Sequence, residues 1–228
     1  EPSASDVVIG KNVGILHDRT AAQRLYEHYP DIRIVLSLRD PVARAYSSFW
    51  YQKFRGTEQH RSFESAIKSE MATPDVHTRH TRYLRKSCYV EDLIGIYSLF
   101  PKENVHIVFF EEFSRQPQST LEEICTFLSI PPIRFSTSER KNPSRMTKYQ
   151  RFSRFLENDS LFKELARHVL PRDLRGRLLF YLRNANSSTS SPPPIADAMR
   201  LQLESYFYQP NHELAELIGR RPPWETMK

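Results

Sequence analysis

The stretch Ile34-Val35-Leu36-Ser37-Leu38-Arg39-Asp40-Pro41-Val42-Ala43-Arg44-Ala45-Tyr46-Ser47 decides how this chain is read. From Ile32 to Leu38 it is nearly continuously apolar, which predicts a strand buried on both faces of a parallel sheet. Asp40 is placed to cap a helix and Pro41 to start one, so a helix is expected from about residue 42 to 53. This strand, turn and helix put Arg39 at the carboxyl end of a strand, where ligands gather in parallel sheets. Arg44 and Ser47 are three residues apart and share a helix face. Arg39, Arg44 and Ser47 can therefore converge on one phosphate, with two guanidinium forks and a hydroxyl as donors. The helix N-terminus adds positive potential. The plainer alternative pairs Arg39 with Asp40 or another carboxylate and makes Ser47 an ordinary helical residue.

Outward from this segment, Asp6-Val7-Val8-Ile9 reads as a short strand. An amphipathic helix is expected over 19–29, with Ala22, Leu25, Tyr26 and Tyr29 on one face. Further helices are expected near 62–72, 89–99 and 117–128, and a second buried-type strand over 104–110. Strands alternating with helices imply an open parallel α/β sheet flanked by helices. Past Pro131 the chain turns basic and polar, with helices expected at 150–168 and 173–183. Residues 184–194 (NANSSTSSPPP) read as a flexible loop within a single domain. The last helix is expected over 196–207, followed by a separate segment at 211–217.

Composition narrows the function classes. The 228 residues include 6 glycines and 16 prolines, a balance that favours long helices with Pro-punctuated loops over a turn-rich all-β fold. The net charge of +6 favours anionic partners. Cys88 and Cys125 are too few and too far apart for a disulfide framework or a zinc site, and are expected to be small buried residues. No apolar run reaches the roughly 18 residues that a membrane span requires. The first residues carry neither a basic n-region nor a long apolar h-region, so no signal peptide is expected there. No Ser-His-Asp order or nucleophile elbow occurs.

The central segment resembles the 3′-phosphate-binding motif of sulfotransferases, a strand followed by Arg-x-Pro-x-x-Arg-x-x-Ser, with Arg39, Pro41, Arg44 and Ser47 at the four positions. The resemblance implies that 3′-phosphoadenosine 5′-phosphosulfate is the donor and that Arg39 and Ser47 hold its 3′-phosphate, with Arg44 as a further candidate. It covers about three quarters of the chain. The segments 89–101, 105–113 and 117–128 look like the family's helix, strand and Glu-x-Phe-x-x-x-Pro region. Residues 203–219 and Trp224 look like its C-terminal helix and closing tryptophan. The spacing from Lys11 to Arg39 matches the carbohydrate-modifying, heparan-type branch, where a lysine lies near the transferring group, although Gly10-Lys11-Asn12-Val13 departs from the family's local pattern. His17 sits at about the distance before the arginine where the cytosolic branch has a catalytic histidine. Lys11 and His17 are thus the catalytic candidates.

The resemblance implies a P-loop-like sulfotransferase fold that is N-terminally incomplete. The family's Lys-x-Gly-Thr-Thr loop, which grips the 5′-phosphosulfate, does not occur in these residues, nor does the heparan-type general base that follows it. On that reading residues 1–228 form one domain lacking its first strand, loop and helix, and this chain on its own is expected to be poorly active. The expected partners are the nucleotide donor and an anionic or neutral glycan acceptor, with neither nucleic acid nor metal required. His77 and His80 are spaced like a metal pair but have no third ligand nearby, so a solvated surface is expected. The basic clusters 79–86 and 140–154 could face an anionic acceptor. Glu111 and Glu112 are expected to cap or to form salt bridges. The rival readings are a non-catalytic anion-binding module and a nucleotide kinase, and the full motif disfavours the kinase.

Overall fold

The computed structural model describes residues 8–73, 82–132, 134, 146–147, 149, 152–153, 155, 171, 174, 181–182, 185–188 and 191–227. It divides into two compact units. The first comprises Glu1–Leu38, Tyr89–Phe135 and Glu213–Pro223; the second comprises Arg39–Cys88, Ser136–His212 and Trp224–Lys228.

The first unit is built on β1 (Ile34–Leu38) and β2 (Val105–Phe109), paired in parallel from Ile34 opposite Val105 to Leu38 opposite Phe109. A parallel pair needs a long crossover, and the chain between the strands carries three helices: α2 (Pro41–Arg55), α3 (Phe63–Ala72) and α4 (Tyr89–Tyr97). Before β1 lies α1 (Arg19–His28), capped by the Asp18 carboxylate, which accepts from the Ala21 amide at 3.1 Å. It packs on α4, and Tyr26 meets Phe100 edge to face with ring centroids 5.5 Å apart. After β2 come α5 (Phe110–Arg115) and α6 (Pro117–Leu128), the latter closed by Ser129 in the left-handed region. Leu38, Leu93, Ile96, Phe100 and Phe109 are all essentially solvent-free.

Three expectations are corrected here. Val8 and Ile9 are not in a strand and are strongly exposed, while Asp6 and Val7 lie outside the described residues. β1 pairs with β2, and a short apolar run becomes a strand only when a partner supplies its hydrogen bonds. β1 is buried on one face only: Ile34, Leu36 and Leu38 point inward while Val35 and Ser37 are exposed. Finally, α5 begins directly after β2, where no helix was expected; Glu111 and Glu112 fall in its first turn, where acidic side chains complement the helix dipole.

The second unit is centred on α2 and α3. Along α2, Val42, Ala45 and Phe49 form an inward stripe that meets Phe63, Ala66 and Ile67 of α3 in one core cluster. Phe49 is fully buried, with ring centroids of Trp50, Phe63 and Tyr83 at 5.4, 5.6 and 6.0 Å. Gly56 closes α2 at φ 86°, a left-handed conformation that glycine adopts without penalty. Met199, Leu203 and Phe207 bring α7 (Asp197–Ile218) into the same core. This helix runs without a break through Pro210, where the sequence suggested two segments. Proline costs one backbone hydrogen bond inside a helix, and buried Phe207 before it and buried Leu214 after it offset that loss. Within the expected loop of 184–194, Ser187–Ser188 pairs antiparallel with Met146–Thr147. His77, His80, most of the basic stretch 140–154 and most of the helices expected at 150–168 and 173–183 lie outside the described residues.

Candidate anion-binding site

The chain leaves β1 at Leu38, and α2 starts at Pro41. The Asp40 carboxylate accepts from the Ala43 amide at 2.9 Å, and the Asp40 carbonyl accepts from the Arg44 amide at 2.8 Å. Local sequence accounts for this start: a short acidic side chain satisfies an orphan helix amide, and proline at the first position has no amide to satisfy. Pro41 has no N–H and the Ala43 amide already donates to Asp40, so a phosphate at this helix end is left chiefly to side chains and to the dipole. The second unit holds Arg39 just ahead of the helix and Arg44 and Ser47 on its first two turns, all three half-buried.

Arg44 has a defined neighbourhood. Its Nη1 donates to the Ser87 hydroxyl at 3.2 Å and to the Tyr83 carbonyl at 3.4 Å. Ser87 in turn donates to that same carbonyl at 2.7 Å. Both residues belong to the segment around the short 3₁₀ turn Arg85–Ser87, whose leading residue Leu84 offers no side-chain cap. Glu70 on α3 supplies the cap from a distance: its carboxylate accepts from the amides of Tyr83 at 2.7 Å, Leu84 at 3.0 Å and Arg85 at 3.1 Å. A second buried carboxylate, Glu58, accepts from the Tyr83 phenol and from both the amide and Nδ1 of His60, at 2.7 and 2.8 Å. Burial, then the adjoining Glu58, push the Tyr83 phenol far above its usual range, so it remains a donor.

Sequence reasoning missed Glu58, Glu70, Tyr83 and Ser87. For Glu70 a signal existed. Phe63, Ala66, Ile67 and Glu70 fall at i, i+3, i+4 and i+7, so the carboxylate interrupts the apolar face of α3, and a buried charge requires partners. No comparable pattern marks Glu58.

Lys11 and His17 belong to the first unit. Lys11 is exposed and outside any helix or strand. His17 ends the 3₁₀ turn Ile15–His17, and its Nδ1 lies 2.6 Å from Asp92 Oδ2 on α4, with both side chains mostly buried. Asp92 was not singled out from the sequence. Glu112 pairs with Arg220 at 3.0 Å, and the Arg220 guanidinium lies over the Phe109 ring. Cys125 is buried and Cys88 half-buried, and neither is in a disulfide.

A model described as "Sulfotransferase family" matches residues 3–134, more than half of the chain. The mouse bifunctional heparan sulfate N-deacetylase/N-sulfotransferase 4 is 26% identical over 133 residues, which cover 56% of this chain and 15% of that protein. The mouse heparan sulfate glucosamine 3-O-sulfotransferase 5 is 22% identical over 220 residues, covering 96% of this chain and 56% of that protein. The chain thus spans little more than half, or far less, of the length of these relatives. Among solved structures, the sulfotransferase from Alicyclobacillus acidocaldarius superposes with a TM-score of 0.61 at 21% identity, over 92% of this chain and 63% of that one, which supports the α/β fold. With the family match running through β1, α2 and β2 and taking in the entire Arg39-to-Ser47 motif, this chain belongs to the sulfotransferase family.

Proposed function

We propose that this chain takes part in moving a sulfuryl group from 3′-phosphoadenosine 5′-phosphosulfate to a hydroxyl or amine of a carbohydrate acceptor. The observation that carries the reading is the start of α2, where Arg39, Arg44 and Ser47 follow β1 in a capped and tightly packed segment of a sulfotransferase chain. The donor set fits a phosphate: guanidinium and hydroxyl groups beside the positive end of a 15-residue helix. In this reading Arg39 and Ser47 bind the 3′-phosphate, and Arg44 holds the helix to the 83–87 turn. When bound, the donor supplies the sulfuryl group. Lys11 offers a point charge for the oxygen that gathers negative charge as transfer proceeds, a role that lowers the barrier more than it aids binding. His17 is the proposed proton acceptor for the attacking hydroxyl, with Asp92 on Nδ1 orienting the ring so that Nε2 takes the proton. A carbohydrate acceptor is supported by the net charge of +6 and by the similarity to two enzymes named for heparan sulfate.

Calorimetry with 3′-phosphoadenosine 5′-phosphate tests the binding part. Arg39→Ala should cost roughly 1.5–3 kcal/mol of affinity, the worth of a charge-assisted contact. Adenosine 5′-phosphate, lacking the 3′-phosphate, should bind weakly to either protein. Unchanged affinity in a folded Arg39→Ala variant would sink the assignment. Sulfate transfer from labelled donor to a glycan panel tests the remainder. Nucleotide binding with no transfer to any acceptor, even with a Lys-x-Gly-Thr-Thr donor loop restored, would favour the non-catalytic anion-binding module. With the donor loop restored, Lys11→Ala is expected to lose more turnover than donor affinity, and equal losses would argue for simple binding.

A further inference from the structure

We infer that Glu70 is a positioning residue for the 3′-phosphate site, acting through the 83–87 turn and Arg44; this rests on the reading of Arg39 and Ser47 proposed above. Glu70 is 3% exposed and sits on the apolar face of α3, an unfavourable place for a carboxylate without a task. Its oxygens gather three successive backbone amides, those of Tyr83, Leu84 and Arg85. These amides open a 3₁₀ turn that has no side-chain cap of its own. Once fixed, the turn presents the Tyr83 carbonyl and the Ser87 hydroxyl to the Arg44 guanidinium. Arg44 lies three residues after the first residue of α2 and three before Ser47, so this contact sets the rotation and position of the helix segment that carries the anion donors. Sites of a few convergent donors tolerate only about 0.5 Å of displacement. A carboxylate 23 residues from Ser47 in sequence thereby reaches the phosphate through two links, without touching it.

The test uses the full chain, with 3′-phosphoadenosine 5′-phosphate and adenosine 5′-phosphate as probes in calorimetry. Glu70→Gln keeps the shape but replaces one acceptor oxygen with a donor that opposes the turn's amides. Its affinity for the 3′-phosphorylated probe should fall about tenfold. Its affinity for adenosine 5′-phosphate should change by less than about twofold. Adding Glu70→Gln to Arg44→Ala should cost no more than about twofold beyond Arg44→Ala alone, because both act along one path. Ser87→Ala, which removes a hydroxyl without unseating the turn, should show the same 3′-phosphate-selective loss and decides the matter if Glu70→Gln does not fold. Equal losses for both probes, multiplying effects with Arg44→Ala, or wild-type binding by Ser87→Ala would overturn the inference. If Arg39→Ala weakens the 3′-phosphorylated probe while Glu70→Gln and Ser87→Ala do not, the role of Glu70 alone fails. If Arg39→Ala has no effect, the phosphate site and the role of Glu70 fall together.

Discussion

Residues 39–56 and residues 8–13 both carry apolar side chains beside a cation proposed for function, yet they fold in opposite ways. In the first, Asp40 caps, Pro41 starts, Gly56 closes, and Val42, Ala45 and Phe49 are buried against α3. In the second, Val8, Ile9 and Val13 are 75%, 74% and 89% exposed, and Lys11 stands among them outside any helix or strand. A helix satisfies its own backbone, so caps and a periodic stripe suffice to predict it. A strand has to borrow hydrogen bonds from a neighbour, and no stretch of four residues states where that neighbour is.

The contrast can be broken most directly in the core. Phe49→Ala should destabilise the protein by about 3–5 kcal/mol, since a fully buried aromatic is lost from a packed cluster. Ile9→Ala, equally apolar to delete, should stay within about 0.5 kcal/mol. Urea unfolding of the two variants measures both, and similar losses would mean that residues 8–13 are packed after all. A smaller effect sharpens the account of the helix start. Asp40→Ala should cost about 1 kcal/mol, the usual worth of an N-cap, and an unchanged midpoint would show that α2 is held by its core stripe alone. The smallest effect concerns His106 on β2, whose burial beside the Phe127 ring lowers its pKa below the ordinary 6.5. The unfolded chain then binds the proton more readily than the folded one, so stability should fall as pH drops through 6.5. Replacing His106 with Phe should flatten that part of the stability–pH curve, and an unaltered slope would assign it to other groups.

The contrast between two kinds of glutamate is equally instructive. Glu111 and Glu112 drew notice as a pair after a strand, and they occupy an ordinary helix start with Glu112 on Arg220. Glu58 and Glu70 drew none, yet they are the buried ones that organise the 83–87 turn. Adjacent charges are conspicuous in a sequence whether or not they are buried. Burial is what forces a carboxylate to find donors, and only the spacing of Glu70 on the apolar face of α3 recorded it in advance.

What the sequence determined by itself is local or motif-borne. The cap, proline and periodic stripe specify α2, and similar signals place α1, α3, α4 and α6 close to their observed bounds. The order of strands and helices implied a parallel α/β fold, and Arg-x-Pro-x-x-Arg-x-x-Ser pointed to the family. Tertiary structure alone decided that β2 pairs with β1, that α7 passes through Pro210, that Asp92 meets His17, and that Arg44 donates to Ser87. The reason is common to all of these. Each depends on groups 43 to 75 residues apart or on the packing around a helix, and such approaches are set by how apolar faces stack, not by the residues on either side of a position in the chain.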